Sequence, residues 1–373
     1  MLGYSYDKAL DFSGVTNAKA WIATGYLPDN KVMMCRVNIV PANTGFVVSS
    51  ETAGVKIMVP VSDQKACYSN LLIPVLKRQT ISGNKTIDGV DYTYMGIGTL
   101  TGTDKQGFVT INGTPEYGPN RCLLQVPTEY VSTSSSARMG GMEMVFDETA
   151  SAMNAPANGS KADIQLGDGK TMLGYSYDKT LDFSGVTNAK AWIATGYLPN
   201  NKVMLCRVKV VPANTGFIVT SDTPGARIEA PESDQRAYYS SLLIPVLERQ
   251  TISGNKTIDG VDYTYMGIGT LTGTTRQGFV TINGTPEYGP NRCLLQVPTE
   301  YVTTSSARSM DYIDYLLPVT VDAELAGETS SMHNIPFTTR NEAGAQIYNL
   351  NGQQMSKPGK GLNIINGRKV VVR

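Results

Sequence analysis

Residues 11–28, DFSGVTNAKAWIATGYLP, return unchanged at 182–199. The repetition runs well beyond that stretch. Aligned from Met1 and from Met172, the chain matches itself without a gap over roughly 135 positions, about 114 of them identical. Solenoid repeats have periods of about 20–50 residues, so this is a duplicated domain rather than a repeat array. Each copy is long enough to bury its own core. The small, turn-rich segment SAMNAPANGSKA, residues 151–162, reads as the linker between them. The expected organisation is a first domain over 1–149, a linker over 150–160, a second domain over 161–326, a connector over 327–346 and a C-terminal element over 347–373.

Where the copies differ, they report local structure. VKIMVP from Val55 corresponds to ARIEAP from Ala226. Val55, Ile57 and Val59 stay apolar as Ala226, Ile228 and Ala230, while Lys56 and Met58 become Arg227 and Glu229. Alternate positions that stay apolar beside positions that accept charge predict a half-buried strand. MCRVNIVP from Met34 alternates in the same way, with Cys35, Val37 and Ile39 on one side and Met34, Arg36 and Asn38 on the other. KAWIATGYL, GFVVSS, DYTYMGIGTL, GFVTIN, RCLLQVP and MEMVF complete about eight strands per copy, punctuated by Gly, Pro and Asn. Only YSNLLIPVL, from Tyr68, offers a short helical turn. The fold class is therefore all-β: two tandem β-sandwich or partly closed barrel domains. ADIQLGDGKT, ahead of Met172, reads as a strand and turn that the first copy does not show ahead of Met1.

Charge narrows the range of partners. The 373 residues carry 32 Lys+Arg and 32 Asp+Glu, a formal net charge of zero. That argues against nucleic acid, which requires a basic footprint, and against a polybasic membrane surface. No apolar run reaches the length of a membrane helix. The start, MLGYSYDKAL, has neither the basic nor the apolar region of a signal peptide, and Met1 aligns with an internal residue, so trimming of a longer precursor is expected.

Catalytic and metal chemistry find little support. The only histidine is His333, outside both copies, and none of Cys35, Cys67, Cys122, Cys206 and Cys293 stands at metal-ligand spacing from another. Cys35 with Cys122, and Cys206 with Cys293, allow one bridge per copy; the alternative is buried small hydrophobes. Ser5 and Lys8 match S-x-x-K, but their surroundings read as strand and turn rather than helix, and no K-T-G follows. GDGKT from Gly167 lacks the leading glycine of a phosphate loop and reads as a turn. Asp88 and Asp91, mirrored by Asp259 and Asp262, sit in Asp-Gly turn chemistry rather than in a carboxylate pair. No cofactor and no catalytic residue are expected.

Aromatic residues carry the binding hypothesis. Trp21, Tyr26, Tyr92, Tyr94, Tyr117 and Tyr130 recur as Trp192, Tyr197, Tyr263, Tyr265, Tyr288 and Tyr301. In DYTYMGIGT, period two puts Tyr92, Tyr94, Gly96 and Gly98 on one face and Met95 and Ile97 on the other. If the first face is open, two rings stand beside a floor of glycines that suits a sugar or a partner side chain. If it is covered, the glycines admit close sheet packing. Tyr92, Tyr94, Tyr263 and Tyr265 are the candidate ligand-binding residues.

Three stretches carry a family resemblance: LDFSGVTNAKAWIATGY, VPANTGFVV and the close SSSARMGGMEMVFD. Together they resemble a module of surface and secreted proteins of the Bacteroidetes, often found beside leucine-rich repeats and associated with adhesion. The end of the chain, IYNLNGQQMSKPGKGLNIINGRKVVVR, is similar to the sorting-type tail of exported proteins of that group, with Asn363 where Tyr is usual. The tail itself reads as a hairpin turning at Asn366-Gly367. The resemblance implies a non-catalytic protein at the cell surface or outside the cell, serving adhesion or acting as a spacer with duplicated weak sites. Its partner would be a host protein or a glycan. The alternative it leaves open is a carbohydrate-binding module for glycan capture.

Overall fold

The structure is a computed structural model. It describes residues 1–27, 30–131, 141–146, 159–198, 202–271 and 275–302, together with the backbone of strands at 312–316, 347–348, 354–355, 361–365 and 368–372. The expected connector, the tail turn and nearly all of the expected linker lie outside the described residues. Strands and two short 3-10 turns, Thr128–Tyr130 and Thr299–Tyr301, make up the described regular structure. The fold is all-β, and the contacts divide the chain into two units, Met1–Pro318 and Val319–Arg373.

Each repeat contributes ten strands, in the same order, to an eleven-stranded sheet whose eleventh strand comes from the other repeat. In repeat one the path runs Leu2–Tyr6, Thr44–Ser49, Lys19–Leu27, Lys31–Val37, Gly141–Phe146, Gln106–Thr110, Val90–Thr99, Arg121–Pro127, Leu72–Val75. Neighbours are antiparallel except where Gly141–Phe146 lies parallel to Lys31–Val37. The path curls into a half-barrel, with its first strands over its last. Ser5 donates its buried hydroxyl to the carbonyls of Val75 and Arg121, and Cys122 Sγ donates to Phe46 O at 3.3 Å. Close approach at this seam requires Gly45: a β-carbon there would stand 2.9 Å from Leu72 O.

The central strands have apolar layers on both faces. Ala20, Ile22, Cys35 and Val37 enter one cluster, while Trp21, Ala23, Val32 and Met34 enter another. This is why Lys19–Leu27 is buried at seven consecutive positions. It also corrects the alternation expected around Met34, whose side chain occupies the second core rather than solvent. The Asp88-Gly89 turn is as the sequence predicts. Asp88 has φ 48° and Gly89 φ 80°, joining Asn84–Ile87 to Val90–Thr99 as a two-residue hairpin. The Asp91 carboxylate there accepts a hydrogen bond from Thr86 Oγ1 at 2.6 Å.

The second unit is described by itself. Its four strands, Ile347–Tyr348, Gln354–Met355, Gly361–Ile365 and Arg368–Val372, form one antiparallel sheet. Gly361–Ile365 and Arg368–Val372 are the two arms expected of the hairpin.

Candidate functional site

The two repeats exchange a strand. Cys67–Tyr68 of repeat one pairs with Gly196 and Tyr197 of repeat two, and Tyr238–Tyr239 pairs with Gly25 and Tyr26. Every residue in one half of this contact is the aligned counterpart of one in the other half. The interface is therefore isologous, like that of a two-fold dimer, but within one chain. Sequence predicted a helical turn at Tyr68–Leu76, and the structure corrects it. The segment runs along the other repeat as far as Ser69, whose amide donates to Thr195 O, then returns to its own repeat, where the Leu71 amide donates to Ala23 O. A bulge between Ala23 and Gly25 exposes the Thr24 carbonyl, which accepts the amide of Ser240. The hydroxyls of Ser69 and Ser240 meet at the crossing. One apolar cluster runs through the joint, containing Phe12 and Phe46 from repeat one and Phe183, Phe217 and Tyr239 from repeat two.

At one end of this joint three tyrosine rings touch. Tyr26 and Tyr238 stack at 5.5 Å and 20°. Tyr130 lies 5.9 Å from Tyr26 and 5.8 Å from Tyr238. Tyr26 is buried and donates its hydroxyl to Gln125 O. Tyr238 is 38% exposed, so an aromatic face reaches solvent above a buried ring. Burial raises the phenol of Tyr26 strongly, with Tyr238 and Tyr92 adding to the effect, and burial with Tyr92 also raises Tyr238. Tyr92 thus belongs to the same neighbourhood. The raised hydroxyls of Tyr26 and Tyr238 stay protonated through the physiological range, that of Tyr26 being donated to Gln125 O.

The other end differs at one decisive position. Cys67 stands where Tyr238 stands, leaving Tyr197 and Tyr301 edge-on at 6.4 Å. Burial pushes the Cys67 thiol up to about 11. The joint is symmetric in backbone and asymmetric in chemistry. The gapless alignment of the copies places Cys67 opposite Tyr238, although the sequence reading draws no site from the pair. The signal was there, since within the gapless alignment of roughly 135 positions this is where the copies exchange an aromatic residue for another type.

The four tyrosines expected to bind ligand fall into two groups. Tyr92 and Tyr263 are half-buried at their strand ends. Tyr94 and Tyr265 are buried, at 7% and 6% exposure. Tyr265 packs with Val246 and Leu294, bordered by Ile252, Ile282 and Tyr288. Of the two arrangements expected for the glycine face, the covered one is found. A β-carbon on Gly96 would lie 2.9 Å from the Tyr117 hydroxyl, and one on Gly98 2.7 Å from Val109. Thr93 to Gly96 are buried at four consecutive positions, so the middle of a strand that alternates by period two is covered on both faces.

The remaining sequence features occupy structural places. The cysteines are thiols rather than disulfides. Lys170 N donates to Gly167 O, making GDGK a turn. Among the described residues, no three His, Cys, Asp or Glu side chains are grouped to hold a metal ion. No family model, no curated protein and no solved structure matches this chain.

Proposed function

We propose that this chain is a non-catalytic, exported surface protein that serves as an adhesion or spacer module. The observation that carries the reading is the reciprocal strand exchange. Two domains joined only by a linker reorient freely. Two domains that share strands and a core hold their outer surfaces at fixed spacing, which removes ordering cost from a two-point attachment. Export rests on the resemblance of the C-terminal tail, and adhesion on that of the repeats.

Glycan capture is the second reading, and a specific observation favours it. Tyr238, stacked on Tyr26 beside Tyr130, presents an aromatic face against which a pyranose ring can lie. Probing arrays of polysaccharides and of host matrix proteins with the whole chain separates the two. Saturable binding to a defined polysaccharide, lost in Tyr238→Ala, selects glycan capture. Binding confined to host proteins selects adhesion, and binding to neither leaves the spacer role alone.

A further inference from the structure

The joint between the repeats is built from parts that both repeats carry. Its receiving strands, Lys19–Leu27 and Lys190–Leu198, have the same sequence, KAWIATGYL. Its inserted segments, CYSNLL from Cys67 and YYSSLL from Tyr238, differ at two of six positions. The apolar residues behind them agree as well. Phe12, Ile22 and Phe46 match Phe183, Ile193 and Phe217. Backbone bonds repeat in both halves: Ser69 N donates to Thr195 O and Ser240 N to Thr24 O, each at 2.9 Å.

A surface that fits its near-copy with two-fold symmetry also fits itself. In a contact between two repeat twos, Tyr239 of each copy would cover Gly196 of the other, as Tyr68 covers Gly196 within the chain. Thr195 O of each would accept Ser240 N of the other. Tyr238 of each would face Tyr197 and Tyr301 of the other, the counterparts of the Tyr26 and Tyr130 that it meets within the chain. Such a contact carries an aromatic stack at both ends. A contact between two repeat ones carries Cys67 at both ends and no stack. The joint within the chain has one end of each kind.

We propose that this joint is exchangeable between molecules: a second copy of the chain takes the place of the neighbouring repeat, and repeat two binds repeat two best. This goes beyond the role proposed above and does not depend on it. Within one chain the short connection holds the two faces at an effective concentration on the order of millimolar, so the closed joint prevails in dilute solution. Once the joint opens, or the chains are crowded, each chain offers two faces. Two chains then close as a pair, or each adds a further chain at its free face.

The test uses the whole chain. Gly25→Val blocks the seat of Tyr239 on repeat one and leaves repeat two intact, so this variant should dimerise through repeat two. Light scattering should read twice the chain mass. Ser240 marks the contact, because its hydroxyl meets that of Ser69 where the segments cross. Gly25→Val combined with Ser240→Cys should therefore yield two chains linked by a disulfide at that position when diamide is added. Gly196→Val should pair through repeat one, roughly ten- to a hundredfold more weakly, the scale of two lost aromatic contacts. Gly25→Val together with Gly196→Val should stay monomeric. A second measurement leaves the joint unaltered. Chains with Ser69→Cys and chains with Ser240→Cys, mixed at high concentration in urea below the unfolding midpoint and then oxidised, should link to each other. Folded Gly25→Val that remains monomeric would overturn the proposal. So would a double glycine variant that dimerises as readily as the single one, or mixed chains that form no link. Tighter pairing of Gly196→Val than of Gly25→Val would overturn the preference for repeat two.

Discussion

The ring of Tyr239 lies where a side chain on Gly25 would stand, with the carbonyl of Tyr238 2.8 Å from the position of the missing β-carbon. Tyr68 covers Gly196 in the same manner. Each repeat therefore keeps a glycine in the middle of its most buried strand to admit the aromatic ring of the other. Glycine inside a strand is costly in isolation, and here the partner repeat fills the space it leaves.

Filling that space from within should pry the repeats apart. Gly25→Val or Gly196→Val is expected to cost about 1–3 kcal/mol each, the range for overpacking a tight interior. Gly14→Ala, whose β-carbon would meet nothing within 4 Å, should leave stability nearly unchanged. Urea denaturation of the three variants gives the comparison; equal midpoints would mean that the exchange contributes nothing.

Shared strands should make the repeats unfold together. Calorimetry of the whole chain should show one transition for residues 1–318, and Gly25→Val should broaden or split it. Deleting Ile347–Arg373 should leave that transition where it was, since the tail belongs to a separate unit. In the native host the same deletion should remove the protein from the surface; unchanged surface display would refute the export reading.

Alkaline pH should weaken the fold. Burial pushes the thiols of Cys122 and Cys293 from 9.0 up to about 12. Between those values the unfolded chain has released protons that the folded chain still holds. Stability therefore stays level below pH 9 and falls as pH rises above it, by at most about 1.4 kcal/mol per pH unit for each thiol. Replacing both cysteines with alanine should flatten part of this slope. Chemical denaturation at pH 8 and 10.5 measures it, and a slope of opposite sign would contradict the burial of these groups.

The asymmetric joint can be made symmetric. Tyr238→Ala should leave stability almost intact, because the ring is partly exposed, and should lower affinity for any aromatic-stacking ligand by about 0.5–1.5 kcal/mol. Cys67→Tyr should create a second aromatic face at the other end and raise the number of ligands bound per chain. Isothermal titration counts the sites; a stoichiometry unmoved by Cys67→Tyr would place the ligand elsewhere.

Much of the local structure was legible in the sequence. Period-two substitution between the copies identified strands, and Asp88-Gly89 announced its hairpin because few residue pairs tolerate two left-handed positions in succession. Arg227–Pro231 formed the strand its alternation predicted, whereas Val55–Pro60 did not. The candidate tyrosines were placed on the right strand and on one face. Their burial was not legible, because alternation states which residues share a face and says nothing of what covers it. Tyr265 is covered by Val246 and Leu294 of neighbouring strands and by Ile252, Ile282 and Tyr288, residues that its own strand does not contain.

The duplication, the all-β class and the absence of a basic footprint were determined by the sequence alone. The joint was decided by tertiary structure. Two near-identical repeats offer near-identical strand edges, so a segment that can pair with its own repeat can pair equally well with the other. Local pattern is the same in both cases. Which pairing forms depends on the path of the chain between Ser69 and Leu71, on the bulge that frees the Thr24 carbonyl, and on the room above Gly25 and Gly196. Those are properties of backbones brought together in space, and no window of sequence contains them.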